Sequence, residues 1–347
     1  MDRLNDRKRN LVKIINTLML EGEMSQTDLS KRLQLQPSTL SYLVNDLKRL
    51  DLVVNSGQTI ASEGPGKPAT IIRLKADKAY FLGLYVEVEK ILAYIIGMDG
   101  SIIHRTTFPL DPPAALESCV SFAIGEILSC YPLVEGIGIA MKGLVLNDDA
   151  IRFGQRDKVG YSSWQIEGFM SHLGAKFSKP IMVENDANCV GVLHQYYQQR
   201  SDMDLVLYLL NQSPFGIGCA ILSHGELIHG TRGAAGQYFE KGSPFIRPEE
   251  IAQRGTESLN HFLDKMLEHI LTTAYLLDPE EIILTGNIFQ AEDGANEQAF
   301  LTSIAKHPFP MQVSIRNESQ KFNPGMGAAM IATNQYLRDT IEKVGAR

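Results

Sequence analysis

Nowhere in the 347 residues do 18 apolar residues run uninterrupted, which speaks against a membrane-spanning helix. The first ten residues, MDRLNDRKRN, are too polar for a secretory signal. Cysteine is scarce as well. Cys119, Cys130, Cys189 and Cys219 lie too far apart to outline a disulfide framework, so a reducing cytoplasm is the expected compartment. What remains is ordinary globular composition, 44% apolar and 21% charged, in a chain long enough for two or three compact units.

Charge is unevenly distributed. Residues 1–75 hold 12 Lys/Arg against 8 Asp/Glu, net +4, and the remainder is net −11. A small basic head on an acidic body suggests that the head alone meets a polyanion.

In the head, Leu11, Ile14, Ile15, Leu18 and Met19 form one helical stripe from Arg7 to Glu21, which Gly22 ends. Ser25 and Asp28 resemble a capping box for a short second helix, broken at Leu35-Gln36-Pro37. Ser38 is positioned to cap a third helix with Leu40, Leu43, Val44, Leu47 and Leu50 buried. A tight turn before the third of three helices is the helix-turn-helix pattern. Leu52–Asn55 and Thr70–Leu74 read as the two strands of a wing. A helical bundle used for packing or dimerisation is the plainer alternative. Against it, the third helix and its approach offer Gln36, Ser38, Thr39, Ser41, Tyr42 and Asn45, suited to base edges and phosphates, followed by Lys48 and Arg49. Gly64-Pro65-Gly66-Lys67-Pro68 is a stiff extended segment whose single cation, Lys67, suits a narrow minor groove; a plain interdomain linker fits it equally. Helix-turn-helix proteins read paired half-sites on double-stranded DNA, so a homodimer or a dimer of dimers is expected.

From Tyr80 the pattern turns to strands: residues 80–90, 91–100 and 101–110, a helix over 114–130 and a strand at 136–140. A short strand at 181–183 and a helix over 187–200 follow. A similar course then restarts, with strands at 205–210, 216–223 and 226–229, a long helix over 256–277 and a strand at 281–285. The near-repetition implies an α/β body of two related lobes.

With Glu184-Asn185-Asp186-Ala187-Asn188, Gly216-Ile217-Gly218, Gly233-Ala234-Ala235-Gly236 and the Gly-Lys-Pro in hand, the chain resembles the ROK family (repressors, open reading frames and kinases), in its repressor branch. The resemblance implies a winged helix-turn-helix over residues 1–76 and a two-lobed body of the actin/hexokinase type. The first lobe would comprise 77–190 plus the C-terminal helix 325–347, and the second 191–324 with a dimerisation surface. In the family's kinases the Asp matching Asp186 is the base that deprotonates the sugar, and the Asn matching Asn185 holds neighbouring hydroxyls.

The phosphate loops depart from the kinase pattern. Tyr85, Val86, Glu87, Val88 and Glu89 stand where kinases carry Asp-x-Gly-Gly-Thr, and Pro214-Phe215 replaces the Gly-Thr before Gly216-Ile217-Gly218. Glycines let backbone approach phosphate and the Asp serves the metal, so neither kinase activity nor a cofactor is expected. Gln237 replaces a sugar-binding Glu, and Glu240 replaces a His that contacts sugar and zinc. Both types still bind hydroxyls, although they also suit a plain polar surface. A changed sugar, a sugar acid or another polyol is then the expected effector. The family's zinc motif is missing: residues 245–260, FIRPEEIAQRGTESLN, contain no cysteine, so no metal is expected. The leading expectation is a repressor whose body binds a carbohydrate-like effector through Asn185, Asp186, Gln237 and Glu240. Control by a protein of a sugar-transport system, or an active sugar kinase with a DNA-binding head, are the alternatives.

Overall fold

The computed structural model describes residues 2–60, 69–87, 89–110, 116–146, 149–156, 161–198, 200, 202–212, 215–237, 256–289, 295–306, 312–316 and 323–343. Lys67, Val88, Pro214 and Glu240 lie outside them.

The head is built as its periodicity requires. Helix α1 (Asp2–Glu21) buries Leu11, Ile14, Ile15, Leu18 and Met19. Helix α2 (Gln26–Leu33) is capped by Ser25, whose Oγ accepts from the Asp28 amide at 3.1 Å and donates to the Asp28 carboxylate at 2.6 Å. Helix α3 (Pro37–Arg49) starts one residue before the expected cap. Pro37 occupies the first turn, where its missing N–H costs nothing, and Gln36 takes the cap position without a side-chain bond. Ser38 is therefore inside the helix. Strand β1 (Met24–Ser25) was not legible in sequence because it is two residues long; it pairs with β3 (Ala69–Leu74), which pairs with β2 (Val53–Ile60). Together these elements form a winged helix-turn-helix.

The body holds two five-stranded sheets with one topology. In the first, β4 (Tyr80–Val86), β5 (Lys90–Gly97) and β6 (Ile102–Pro109) form an antiparallel meander; β7 (Val134–Met141) lies parallel to β4, and β11 (Ile181–Asn185) parallel to β7. In the second, β12 (Leu205–Gln212), β13 (Phe215–Ser223) and β14 (Glu226–Leu227) form the meander. There β15 (Glu281–Thr285) and then β16 (Gln312–Arg316) continue in parallel from β12. Helix α4 (Leu116–Cys130) covers the first sheet, and α7 (Thr256–Leu277) with α8 (Ala295–Ile304) the second. A small antiparallel sheet of β8 (Leu144–Leu146), β9 (Ala150–Arg156) and β10 (Tyr161–Glu167), followed by α5 (Phe169–Phe177), fills the interval before β11, for which the sequence offered no reading.

Each lobe's last strand feeds a helix onto the other lobe's sheet. Helix α6 (Asp186–Gln198) leaves β11 and lies on β12 and β13, where a Cβ on Gly218 would meet Ala187 Cβ at 2.5 Å. Helix α9 (Pro324–Glu342) lies on β4 and β7. Contact there is backbone to backbone. A Cβ on Gly138 would stand 1.9 Å from the Ala328 carbonyl, and one on Gly327 would stand 2.0 Å from the Cys189 carbonyl of α6. Nothing larger than glycine fits either place.

The head rests on this helix pair. Helix α1 packs on α9 and α6, and its apolar stripe joins Phe81, Leu193, Met330, Leu337 and Ile341 in one continuous core.

Candidate functional site

Glu184-Asn185-Asp186 is a strand-to-helix corner. Parallel pairing with β7 holds β11 through Asn185, and Asp186 opens α6. Three polar residues are thereby buried side by side, each needing partners. Glu184 is the hub. Its Oε1 accepts from the Asn185 amide and from Asn188 Nδ2, both at 2.8 Å, and its Oε2 stands 2.6 Å from His229 Nε2. The Asn185 Nδ2 donates to the Gly143 carbonyl at 2.8 Å, while its Oδ1 accepts from the Ala187 amide at 2.9 Å.

Asp186 is differently placed. Burial pushes its carboxyl up to about 6, against the opposing pull of the Lys142 ammonium, the Ala187 and Asp186 amides and the Tyr85 phenol. Desolvation outweighs the favourable helix N-terminus and the nearby cation. Burial, and then the neighbouring Asp186 and Glu87 carboxyl groups, drive the Tyr85 phenol well above its ordinary value, so it stands beside Asp186 as a neutral hydroxyl. Tyr85 comes from the end of β4, the position where the resemblance puts a kinase's metal-serving Asp. The rest of that hairpin is closed on itself: the Glu87 amide donates to the Lys90 carbonyl at 2.9 Å, and their side chains pair at 3.3 Å.

Opposite the corner, residues 229–237 form a tight loop. The Ala235 amide donates to the His229 carbonyl at 3.1 Å, and the Gln237 amide to the Ala234 carbonyl at 3.3 Å. Gly236, at φ +76°, lies so close to β13 that a Cβ would stand 2.0 Å from the Cys219 carbonyl. The loop thus presents His229 at one end and half-buried Gln237 at the other. Glu184 lowers the proton affinity of no group here; it raises that of His229 through their hydrogen bond, against partial burial.

Of the four residues expected to hold an effector, Asn185 and Asp186 share the corner, Gln237 lies on the facing loop, and Glu240 falls outside the described residues. Sequence reasoning missed Tyr85, Glu184, His229 and Lys142 as members. Glu184 was inside the quoted motif, yet its role as hub depends on His229, 45 residues away. Among the described residues no group of three His, Cys, Asp or Glu side chains could hold a metal ion.

On the head, Gln36, Ser38, Thr39, Ser41, Tyr42, Asn45 and Arg49 are exposed along α3 and its approach, and Lys48 is half-buried, donating to Asn55 Oδ1 at 2.7 Å. The same helix buries Asp46, which pairs with Arg7 of α1 at 2.8 Å; the Arg7 guanidinium lies 5.2 Å over the Tyr42 ring. This holds α3 against α1 and leaves its polar face outward.

Comparisons with known proteins agree with both halves. Residues 81–238 match the ROK family, and residues 7–54 match winged helix-turn-helix DNA-binding domains. The chain is 25% identical over 345 residues to the xylose repressor of Bacillus subtilis (strain 168), covering 95% of this chain and 83% of that protein. It is 32% identical over 118 residues to the beta-glucoside kinase of Klebsiella pneumoniae, covering 32% of this chain and 36% of that protein. Among solved structures, a ROK family transcriptional regulator described as a homolog of E. coli MLC protein superposes with a TM-score of 0.67. It shares 16% identity and covers 97% of this chain and 98% of its own. No helix among the described residues is long and apolar enough to cross a membrane. The chain therefore joins an N-terminal winged helix-turn-helix DNA-binding domain to a body that matches the ROK family over residues 81–238.

Proposed function

We propose that this protein is a DNA-binding transcriptional repressor whose body binds a sugar or sugar-like effector without turning it over. The observation that carries the reading is the neutral Tyr85 phenol beside the buried Asp186 carboxyl group. The residue aligned with the kinase base keeps its corner, but the position aligned with the kinase metal-site Asp holds a phenol beside it. A phenol cannot hold magnesium as a carboxylate does, and phosphoryl transfer depends on that positioning. Binding remains, because a carboxyl group, amides and an imidazole are all hydroxyl partners.

Through Ser41, Tyr42 and Asn45 the head reads base edges, with Ser38, Thr39, Lys48, Arg49 and Lys67 on phosphates and the minor groove. A homodimer engages two half-sites in the cytoplasm. Given the xylose repressors among its relatives, D-xylose is the first effector to try. Operator binding titrated with D-xylose and a panel of neutral sugars, sugar acids and polyols tests the reading: one member should shift operator affinity, and Asp186→Ala should abolish the shift. Incubation with ATP, magnesium and the same panel tests the absence of turnover; sustained phosphorylation lost in Asp186→Ala would overturn it.

A further inference from the structure

Among the polar contacts of the corner, most are sealed inside it. Asn185, Asp186 and Glu184 are buried, and the bonds to Gly143, Ala187 and Asn188 run between neighbours of one small region. The contact between Glu184 Oε2 and His229 Nε2 differs in two respects. It joins the first sheet's β11 to the loop after β14 of the second sheet, and the His229 side chain is 44% exposed. An incoming solute therefore meets this contact without first disrupting buried packing.

Its chemistry also matches the ligand. A hydroxyl group donates one hydrogen bond and accepts others, so it is complementary to a carboxylate and an imidazole N–H presented side by side. The bond donated to the carboxylate would be assisted by charge. From this we infer that His229 is an effector-contacting residue: one hydroxyl of the sugar enters between His229 Nε2 and Glu184 Oε2, accepting from the first and donating to the second. No covalent step is involved. The insertion has a geometric effect. Two bonds of about 2.8 Å meeting at a tetrahedral oxygen hold their end atoms ~4.5 Å apart, against 2.6 Å in direct contact. The loop carrying His229 and Gln237 is thus displaced from β11 by roughly 2 Å, and that loop abuts β13, on which α6 lies.

This inference rests on the effector reading above, and the test separates the two. D-Xylose and its monodeoxy analogues are titrated calorimetrically into wild type, His229→Ala and His229→Gln, with melting temperature checking the fold. The glutamine amide reaches nearly where Nε2 does and keeps a donor. In wild type one deoxy analogue should bind at least tenfold more weakly than D-xylose. In His229→Ala D-xylose itself should bind at least tenfold more weakly and the deoxy penalty should shrink to what the remaining bond to Glu184 supplies, while His229→Gln recovers part of the difference. A residue that merely supports the fold would weaken every analogue alike. If D-xylose binds wild type and both variants equally, or if the full deoxy penalty survives in His229→Ala, His229 is not a contact and the effector reading stands. If wild type binds neither D-xylose nor any other member of the panel, sugar acids and polyols included, the effector reading fails and this inference falls with it.

Discussion

The Tyr85 phenol, at the end of β4, stands beside the carboxyl group of Asp186, the first residue of α6, in a buried corner. Two consequences follow for pH. Asp186 accepts a sugar hydroxyl best as a carboxylate, and its carboxyl titrates near 6. Effector affinity should therefore rise between pH 5 and pH 7.5. Tyr85→Phe removes a donor that favours the charged form, so the rise should move to higher pH, and Asp186→Asn should flatten it. Calorimetric titrations across that range check all three.

Stability should respond in the opposite sense to an ordinary buried ion pair. The Asp186 carboxyl titrates near 6 in the folded protein against 3.8 for an exposed group, so the native state holds the proton more tightly. Its contribution is most favourable below about pH 4 and is lost as pH rises through 6. Two pH units correspond to about 3 kcal/mol, an upper figure given relaxation around the site. Asp186→Asn should then be more stable than wild type by about 1–3 kcal/mol at pH 7.5, with the gap closing at pH 4.5. The His229–Glu184 pair, whose raised imidazole also favours low pH, is present in both proteins and cancels in the comparison. Chemical denaturation at the two pH values decides the matter.

In the head, Arg7 Nε and Nη2 both reach Asp46 Oδ2, at 3.2 and 2.8 Å, and the Asp46 side chain is 5% exposed. Arg49 approaches the other oxygen at 3.6 Å but is itself largely in solvent. Removing Arg7 leaves a buried carboxylate on α3 without its closest partner, at a cost of roughly 1–3 kcal/mol. Arg7→Ala should lower stability by that amount and weaken operator binding, because Tyr42 loses the guanidinium over its ring. Double substitution of Arg7 and Asp46 by Met and Leu should recover most of the stability. Denaturation curves and operator titrations of both variants test this.

The continuous core beneath α1 makes head and body one cooperative unit. Leu18→Ala, at a site 2% exposed in α1, should cost about 2–5 kcal/mol and should destabilise both. Calorimetry of the intact chain is expected to give one transition, displaced as a whole in the variant. Two separable transitions, with the variant moving the smaller alone, would contradict it.

How much of this was legible beforehand depended on the range of the forces involved. The stripe Leu11–Met19, the strand starts at Tyr80 and Leu205, and the long helix Thr256–Leu277 were plain because each is a local apolar period. Asp46 was not: a carboxylate on the buried face of α3 makes sense only with Arg7, 39 residues earlier. The same holds for β1, too short to have a period, and for β8–β10 and α5, where Asp149 caps α5 by accepting from the Met170 and Ser171 amides. At the corner, the motif announced Asn185 and Asp186, but the desolvation that sets the Asp186 proton affinity comes from packing no local window contains. Tyr85 had been noted for what it replaced; its place beside Asp186 required the parallel pairing of β4, β7 and β11.

The glycine contacts of α9 have a mechanical consequence. Where two helices meet through side chains, rotamer changes absorb small displacements. Gly327 of α9 and the Cys189 carbonyl of α6 meet with no side chain between them, as do Gly138 and the Ala328 carbonyl. Such a joint has almost no backlash: a shift of a few tenths of an ångström at the start of α6 moves α9, and α1 with it. On the proposed reading, ligand specificity could then be changed by exchanging residues on the loop at 229–237 alone, since any ligand that displaces that loop would drive the same train of helices.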